Sequence, residues 1–234
     1  MLISILVPVY NESAVILKTL EKVKEQQLEN IEFEVIVIDD GSKDNTVELL
    51  KQHTELYSHL IELPQNQGKG KAIMTGIAAA KGEYILCQDA DLEYDPRDYP
   101  QLMFPVTNYE ADVVMGSRLT APQYTRVHYF WHKQGNRLIT TIFNVLNNTT
   151  FTDIYSGYFL FRKSLVDPDL LRAYSWEQQA EILSMTVQNG TVFYEVPISY
   201  HGRTYSDGKK IKAYHALAII FMIIKCRIFP GWRK

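Results

Sequence analysis

The sequence predicts an α/β domain organised around a largely parallel sheet. Two patterns carry that expectation. Short apolar runs of strand length alternate with stretches whose apolar residues recur at helical spacing. The runs also end repeatedly in carboxylates, Asp39-Asp40 after one and Asp89-Ala90-Asp91 after another. Open α/β sheets hold their ligands beyond the carboxyl ends of the strands, so acids collected there read as a site. At 234 residues, with 46% hydrophobic and 22% charged side chains, the chain can bury one sizeable core.

The elements follow in order. Leu2–Val7 is a buried strand, and Ile16, Leu20 and Val23 take helical spacing after Asn11-Glu12-Ser13, where Asn11 or Ser13 is a candidate cap. Phe33–Ile38 is a second β-rich run, followed by Asp39-Asp40-Gly41-Ser42 and a helix through Val47, Leu49 and Leu50. Leu60–Leu63 is a short third strand, Gly68–Ala80 a Gly/Ala-rich helix, Gly82–Gln88 the fourth strand and Asp112–Met115 the fifth. Beyond Gly116 the pattern changes. Tyr129–Asn148 reads as helix, Tyr158–Arg162 as strand, Gln178–Asn189 as helix and Thr191–Val196 as a final strand. The expected division is one domain over residues 1–205 and a basic, apolar helical segment over 206–234.

Bulk properties narrow the classes. A net charge of −3 gives no basis for a nucleic-acid partner. Two cysteines, Cys87 and Cys226, argue against a disulfide framework and fit a reducing cytosol. Met1 leads straight into the first strand with no basic stretch or small-residue cleavage site, so secretion is not expected. No run reaches the roughly 18 continuous apolar residues of a spanning helix. Charge is nevertheless uneven: from His201 to Lys234, eight Lys/Arg face one acid, Asp207. Within that tail Ile211–Phe229 suits a helix lying in a membrane interface. It equally suits a helix docked on the domain's own core. The expected location is cytoplasmic, peripheral at the cytoplasmic face of a membrane.

The chemistry sits in short blocks. Asp89-Ala90-Asp91 offers hard oxygen ligands to a divalent cation that keeps substrate phosphates in its shell. Followed by Glu93, Asp95 and Pro96, the same triplet also reads as a solvated acidic turn. In Val7-Pro8-Val9-Tyr10-Asn11-Glu12, Pro8 is expected to end the strand ladder, and an aromatic ring there suits stacking on a nucleobase. A plain strand-to-helix turn fits as well. In Val37-Ile38-Asp39-Asp40-Gly41-Ser42 a strand-end acid suits hydrogen bonds from a base or ribose, while Asp40 and Ser42 also suit a turn or cap. Asn66-Gln67-Gly68-Lys69-Gly70-Lys71 opens a helix with glycines that permit close backbone approach and a lysine suited to an anion, or simply with two solvated lysines. No Gly-x-Gly-x-x-Gly follows the first strand and no Gly-Lys-Ser/Thr is present, which counts against a dinucleotide-dependent dehydrogenase and a Walker-type loop.

Together these blocks resemble the family 2 glycosyltransferases of GT-A fold. The matches are Val-Pro-Val-Tyr-Asn-Glu (7–12), Val-Ile-Asp-Asp-Gly-Ser (37–42), Asn-x-Gly-Lys-Gly (66–70), Gly-Glu-Tyr (82–84) and Asp-Ala-Asp (89–91). The likeness continues through Gly116-Ser117-Arg118, Gly135-Asn136, Thr152-Asp153, Ser156-Gly157-Tyr158, Glu195-Val196-Pro197 and His201-Gly202-Arg203. Within the family the chain is most similar to the branch acting on polyprenyl phosphates, that of dolichol-phosphate mannose synthase. His201-Gly202-Arg203-Thr204, Gly208-Lys209-Lys210 and Ile211-Lys212 carry that placement.

The resemblance implies transfer of a sugar from a GDP- or UDP-sugar to a polyprenyl phosphate, with inversion. Pro8, Tyr10, Glu12, Val37 and Asp39 would surround the nucleoside, with Lys69, Asp89, Ala90 and Arg118 completing the nucleotide site. Asp89, Asp91 and Glu93 would contact Mg²⁺ or Mn²⁺; relatives often carry Gln at the position of Glu93. Arg118 and Arg203 would meet phosphate charge, though each also suits a structural salt bridge. A lipid phosphate acceptor is already an anion and needs no strong base, whereas a sugar hydroxyl needs a carboxylate to remove its proton. Glu181, which also suits an exposed helix carboxylate, is the first candidate base and Asp153 the second. Competing expectations are a family 2 enzyme extending a cell-surface glycan on a sugar hydroxyl and a non-catalytic nucleotide-sugar-binding module. A nucleotidyltransferase ranks below both, for want of its Gly-rich, Arg-containing loop. Tyr124, Tyr129, Phe130 and Trp131 are candidates for acceptor stacking.

Overall fold

Among the described residues, seven strands form one sheet in the order β3-β2-β1-β4-β6-β5-β7. The structure, a computed structural model, describes residues 1–120, 130–202 and 213–229. Strand β1 (Leu2–Val9) is flanked in parallel by β2 (Glu32–Asp39) and β4 (Tyr84–Cys87), and β3 (His59–Glu62) extends the sheet beyond β2. On the other side β6 (Phe159–Arg162) runs antiparallel between β4 and β5 (Val113–Ser117), and β7 (Phe193–Pro197) lies parallel to β5 at the edge. The chain leaves β1 to one side for β2 and β3, then returns to its other side for β4. A crevice opens beyond the carboxyl ends at such a reversal. Because only β6 is reversed, the loop entering β6 joins the carboxyl ends of the other strands along one edge.

Both faces of the sheet are covered, which explains the near-continuous apolar runs. Ile3, Ile5 and Val7 of β1 and Val35 and Val37 of β2 pack with α1 (Ile16–Lys24), α2 (Thr46–Gln52) and α4 (Tyr99–Tyr109). The alternate residues Leu6, Ile36 and Ile38 face α3 (Lys69–Ala79), in one core with α5 (Phe130–Asn147), α6 (Gln178–Asn189) and α7 (Ala213–Ile228). This is the period-2 alternation of strands buried on both sides.

One helix goes unannounced by the sequence and two local expectations change. Helix α4 has no clear signal in the sequence because Pro100 and Pro105 lie within it. Pro100 occupies the first turn, where no N–H is needed, and burial of Tyr99, Leu102, Met103 and Val106 outweighs the break at Pro105. Pro8 does not end the ladder: β1 pairs with β2 through Val9. Its last rung with β4 is Leu6–Cys87, so on that side no rung remains for Pro8 to lose. Neither Asn11 nor Ser13 caps α1, which has no side-chain cap. Asn11 instead takes a left-handed φ of 54° and accepts the Lys43 N–H at 2.8 Å.

Helix α7 docks on the domain's own core through Ile219, Met222, Ile223 and Cys226, which are buried, while Leu217, Phe221 and Ile228, and Phe229 just beyond the helix, are exposed.

Candidate active site

The acidic turn follows β4 directly. Asp89 forms an ion pair with Lys69, the first residue of α3. The Glu93 N–H donates to Asp91 Oδ1 at 3.2 Å, and Leu92 between them holds a left-handed φ of 60°. The segment beyond β7 lies against this turn: the His201 N–H donates to the Glu93 carbonyl at 2.9 Å, and the Tyr200 hydroxyl to Glu93 Oε2 at 2.9 Å. From the third side comes Gly157, where a Cβ would stand 2.7 Å from Asp89 Oδ2 and 2.6 Å from the Tyr94 ring. Only glycine fits there.

Asp89 and Asp91 are hard oxygen donors at a strand end, a donor set that fits Mg²⁺ or Mn²⁺ with phosphate and water filling the remaining positions. Among the described residues no three His, Cys, Asp or Glu side chains form a metal-binding group. Glu93, in the same turn as the two aspartates, accepts the Tyr200 hydroxyl.

Beside the turn, β1 and β2 form the crevice. Tyr10, Pro8 and Glu12 are partly exposed at the end of β1, and the Glu12 N–H donates to Thr46 Oγ1 at 3.1 Å. Asp39 is buried; its Oδ2 accepts the Ser42 N–H at 2.9 Å, while its Oδ1 is buried without a partner. A carboxylate oxygen in that state calls for an outside donor. Asp40 does not cap α2. It accepts the Gln67 and Gly68 N–H groups at 2.7 and 2.8 Å, tying the end of β2 to the loop before α3. The Gly70 N–H donates to the Tyr174 carbonyl at 3.0 Å, and a Cβ on Gly70 would collide with the backbone of residues 173–174. This close seating places Lys69 on Asp89. Desolvation opposes the ammonium, but the Asp89 carboxylate outweighs it and the Lys69 pKa is raised. Val37 departs from expectation: it is fully buried in the core and does not line the crevice, whereas Ala90 lies within the turn itself.

The carboxylates of the second half are closed in. Asp153 has no exposed surface and takes Arg118 bidentately, Nε at 2.7 Å and Nη2 at 2.8 Å, with Asn136 Nδ2 at 2.8 Å. Burial alone would push its carboxyl up; Arg118 outweighs this and holds it below the ordinary value. Arg118 also lies 5.1 Å from the Tyr200 ring centre. The structural salt bridge is thus the arrangement observed for Arg118. Glu195 accepts the Thr152 and Asp153 N–H groups at 2.9–3.0 Å, and burial raises its pKa. Glu181 is not an exposed helix carboxylate. It is fully buried and accepts the Arg172 and Ala173 N–H groups at 2.9–3.1 Å. As placed, neither Asp153 nor Glu181 opens to the crevice as a base. Arg203, Tyr124 and Tyr129 lie outside the described residues, as does the basic stretch 203–212. Phe130 and Trp131 are exposed at the start of α5, edge to face at 5.1 Å. Sequence reasoning missed Tyr200 and the reason for Gly157; the signal available was Gly157 beside Ser156 and Tyr158 in a matched block.

Residues 4–168 match the family model described as Glycosyl transferase family 2. Among relatives, an undecaprenyl-phosphate 4-deoxy-4-formamido-L-arabinose transferase of Proteus mirabilis is 28% identical over 212 residues, covering 88% of this chain and 62% of that protein. A UDP-N-acetylglucosamine–dolichyl-phosphate N-acetylglucosaminyltransferase of Methanococcus voltae is 27% identical over 246 residues, covering 97% of this chain and 96% of that one. The chain thus spans less than two thirds of the first relative and nearly all of the second. Glucosyl-3-phosphoglycerate synthase of Mycobacterium tuberculosis superposes with a TM-score of 0.71 at 17% identity, over 98% of this chain and 82% of that one. The same enzyme has been solved in complex with Mn²⁺, UDP and glucosyl-3-phosphoglycerate. At that identity the likeness establishes the fold, a GT-A architecture. The family match runs over most of the sheet and through the turns after β1, β2 and β4, and the chain belongs to glycosyl transferase family 2.

Proposed function

We propose that this chain transfers a sugar from a GDP- or UDP-sugar to the phosphate of a polyprenyl lipid, inverting the anomeric carbon. The observation that carries the reading is the state of the two candidate bases. Asp153 is paired with Arg118 and Asn136, and Glu181 is buried on backbone amides. A sugar hydroxyl would need such a group to take its proton, whereas a lipid phosphate arrives already ionised. Relatives named for undecaprenyl-phosphate and dolichyl-phosphate support the same acceptor.

In this reading Asp39 Oδ1 accepts an N–H or O–H of the nucleoside, and Tyr10 flanks the base. Lys69 lends positive charge at the diphosphate, where a fixed cation stabilises the leaving group most as it departs. Asp89 and Asp91 would hold Mg²⁺ or Mn²⁺, which supplies Lewis-acid neutralisation of the diphosphate worth several kcal/mol. Arg203, two residues beyond the His201 amide that rests on Glu93, would meet the acceptor phosphate. Arg118 and Glu181 serve the shape of the crevice.

A lipid acceptor calls for contact with a bilayer. Helices α5 and α7 pack together, and neither contains an Asp or Glu. They expose Trp131, Leu138 and Val145 on α5 and Leu217, Phe221 and Ile228 on α7, and carry Lys133, Arg137, Lys225 and Arg227. In a chain of net charge −3, an acid-free apolar surface with cations suits anionic headgroups. Among the described residues no helix is long and apolar enough to cross a membrane, so the proposed contact is interfacial.

The test is product release from a panel of UDP- and GDP-sugars with Mn²⁺, with and without undecaprenyl or dolichyl phosphate in vesicles. The expected result is lipid-dependent release, abolished by chelator and lowered about 10³-fold or more by Asp91→Ala. Release only with a sugar acceptor would move the function to glycan extension. Donor binding with no transfer to either would leave a binding module.

A further inference from the structure

The peptide groups of the Asp89-Ala90-Asp91 turn are gripped from inside the protein. Gln88 continues the sheet, its N–H donating to the Leu6 carbonyl at 3.0 Å, and its side-chain Nε2 donates to the Asp89 carbonyl at 2.9 Å. Thr19, on α1, donates its hydroxyl to the next carbonyl, Ala90, at 2.9 Å; the same hydroxyl lies 3.3 Å from the Val15 carbonyl of its own helix. Both side chains are completely buried. Gln88 Oε1 in turn accepts the hydroxyls of Tyr99 at 2.8 Å and Tyr158 at 3.0 Å. A tyrosine hydroxyl can donate or accept, but the Asp89 carbonyl can only accept, so the amide nitrogen must face the turn. The two rings meet edge-on at 5.8 Å and Tyr158 tilts against Tyr94 at 5.2 Å, which prevents the amide from swinging away.

A buried amide is costly unless its hydrogen bonds are made, and an apolar side chain would fill this space without that demand. Gln88 makes those bonds at both ends: its oxygen is held by the two core tyrosines, and its nitrogen is thereby fixed on the peptide carbonyl of the acidic turn. The turn also contains the left-handed Leu92, a conformation that persists only where the surroundings enforce it. We propose that Gln88 and Thr19 are positioning residues. They clamp consecutive carbonyls on either side of Ala90 and so aim the Asp89 and Asp91 carboxylates at the cation and diphosphate of the donor. The inference rests on the reading of this edge as the donor site, and adds to it two residues that touch neither donor nor cation.

Gln88→Met and Thr19→Val keep approximate volume and remove the donors. Binding of Mn²⁺, followed through the loss of its free electron paramagnetic resonance signal with UDP or GDP present and no acceptor, is expected to weaken about 10- to 100-fold. In turnover the donor KM should rise at limiting Mn²⁺, with kcat largely restored by excess Mn²⁺. Thr19→Ser, which retains the hydroxyl, should bind Mn²⁺ as the wild type does. Tyr158→Phe, which removes one of the two bonds orienting the amide, should give a smaller shift in the same direction and keeps the test open if Gln88→Met folds poorly. Variants that melt earlier but titrate Mn²⁺ like the wild type would overturn the inference, since the two residues would then serve packing alone. Failure of the wild type to bind Mn²⁺ and nucleotide at all would overturn the donor-site reading and this inference with it.

Discussion

Asp89 and Asp153 lie at the same edge of the sheet, one in the turn after β4 and the other in the loop before β6. Asp89 keeps 21% of its side-chain surface exposed beside Lys69, whereas Asp153 keeps none and is locked to Arg118. The neighbouring carboxylates divide the same way: Asp91 stays in the turn, while Glu181, in the interior, and Glu195, half-buried, accept backbone N–H groups. Type and strand-end location are shared; burial and partner differ. An ionised carboxylate keeps capacity for a ligand only while the protein's own donors leave it some, and the second group has been committed to holding loops in place.

The largest expected effect that would sharpen this contrast is in the interior pair. Asp153→Ala leaves the largely enclosed Arg118 guanidinium without its carboxylate and should cost about 3 kcal/mol of stability, read as a lowered denaturation midpoint. Pairing it with Arg118→Met should recover part of that loss. A stable Asp153→Ala protein that has lost transfer would instead place Asp153 with Asp89 and break the comparison.

Glu181→Gln comes next. The amide retains an oxygen for the Arg172 and Ala173 N–H groups but loses the charge, so a loss of about 1–3 kcal/mol is expected, with kcat within a few-fold of wild type. A general base would show the opposite, kcat reduced about 10²- to 10⁴-fold in a protein of normal stability.

The smallest effect tests the support of the acidic turn. Burial would raise the Asp95 carboxyl, but hydrogen bonds from Arg97 and Lys22 bring it down from 3.8 to about 2. A carboxyl depressed in the folded state contributes stability above its unfolded value and loses it as pH falls through the folded one. Asp95→Asn should therefore cost about 1 kcal/mol at neutral pH, and the gap to wild type should close between about pH 4 and pH 2. A gap that stays constant over that range would assign the loss to packing.

The first half of the chain is readable because its signals are local. Near-continuous apolar runs of strand length mark β1, β2 and β4, and the turn after each holds its carboxylates within a few residues. Element bounds shift by a residue or two, as at β3, and Gln178–Asn189 is helix α6 as the pattern indicates. Helix α4 escaped because proline is scored as a breaker, although its first turn tolerates one. Lys69 was recognisable as a helix-start cation, but its contact with Asp89 joins residues 20 apart in sequence. Arg118 and Asp153 are 35 apart, and nothing in either neighbourhood announces the other.

Composition, periodicity and turn residues were enough to define an α/β sheet and the edge where its acids collect, and the family entered through the resemblance of the motif blocks. They act over a few residues, and a single chain displays them without folding. The reversed strand β6 between β4 and β5, the burial of Glu181 and Val37, and the grip of Gln88 and Thr19 on the acidic turn arose only when distant segments met. Which carboxylates remain open to a ligand depends on which donors the fold brings within hydrogen-bond reach. That distance is set by packing across the whole domain, and no local stretch of sequence contains it.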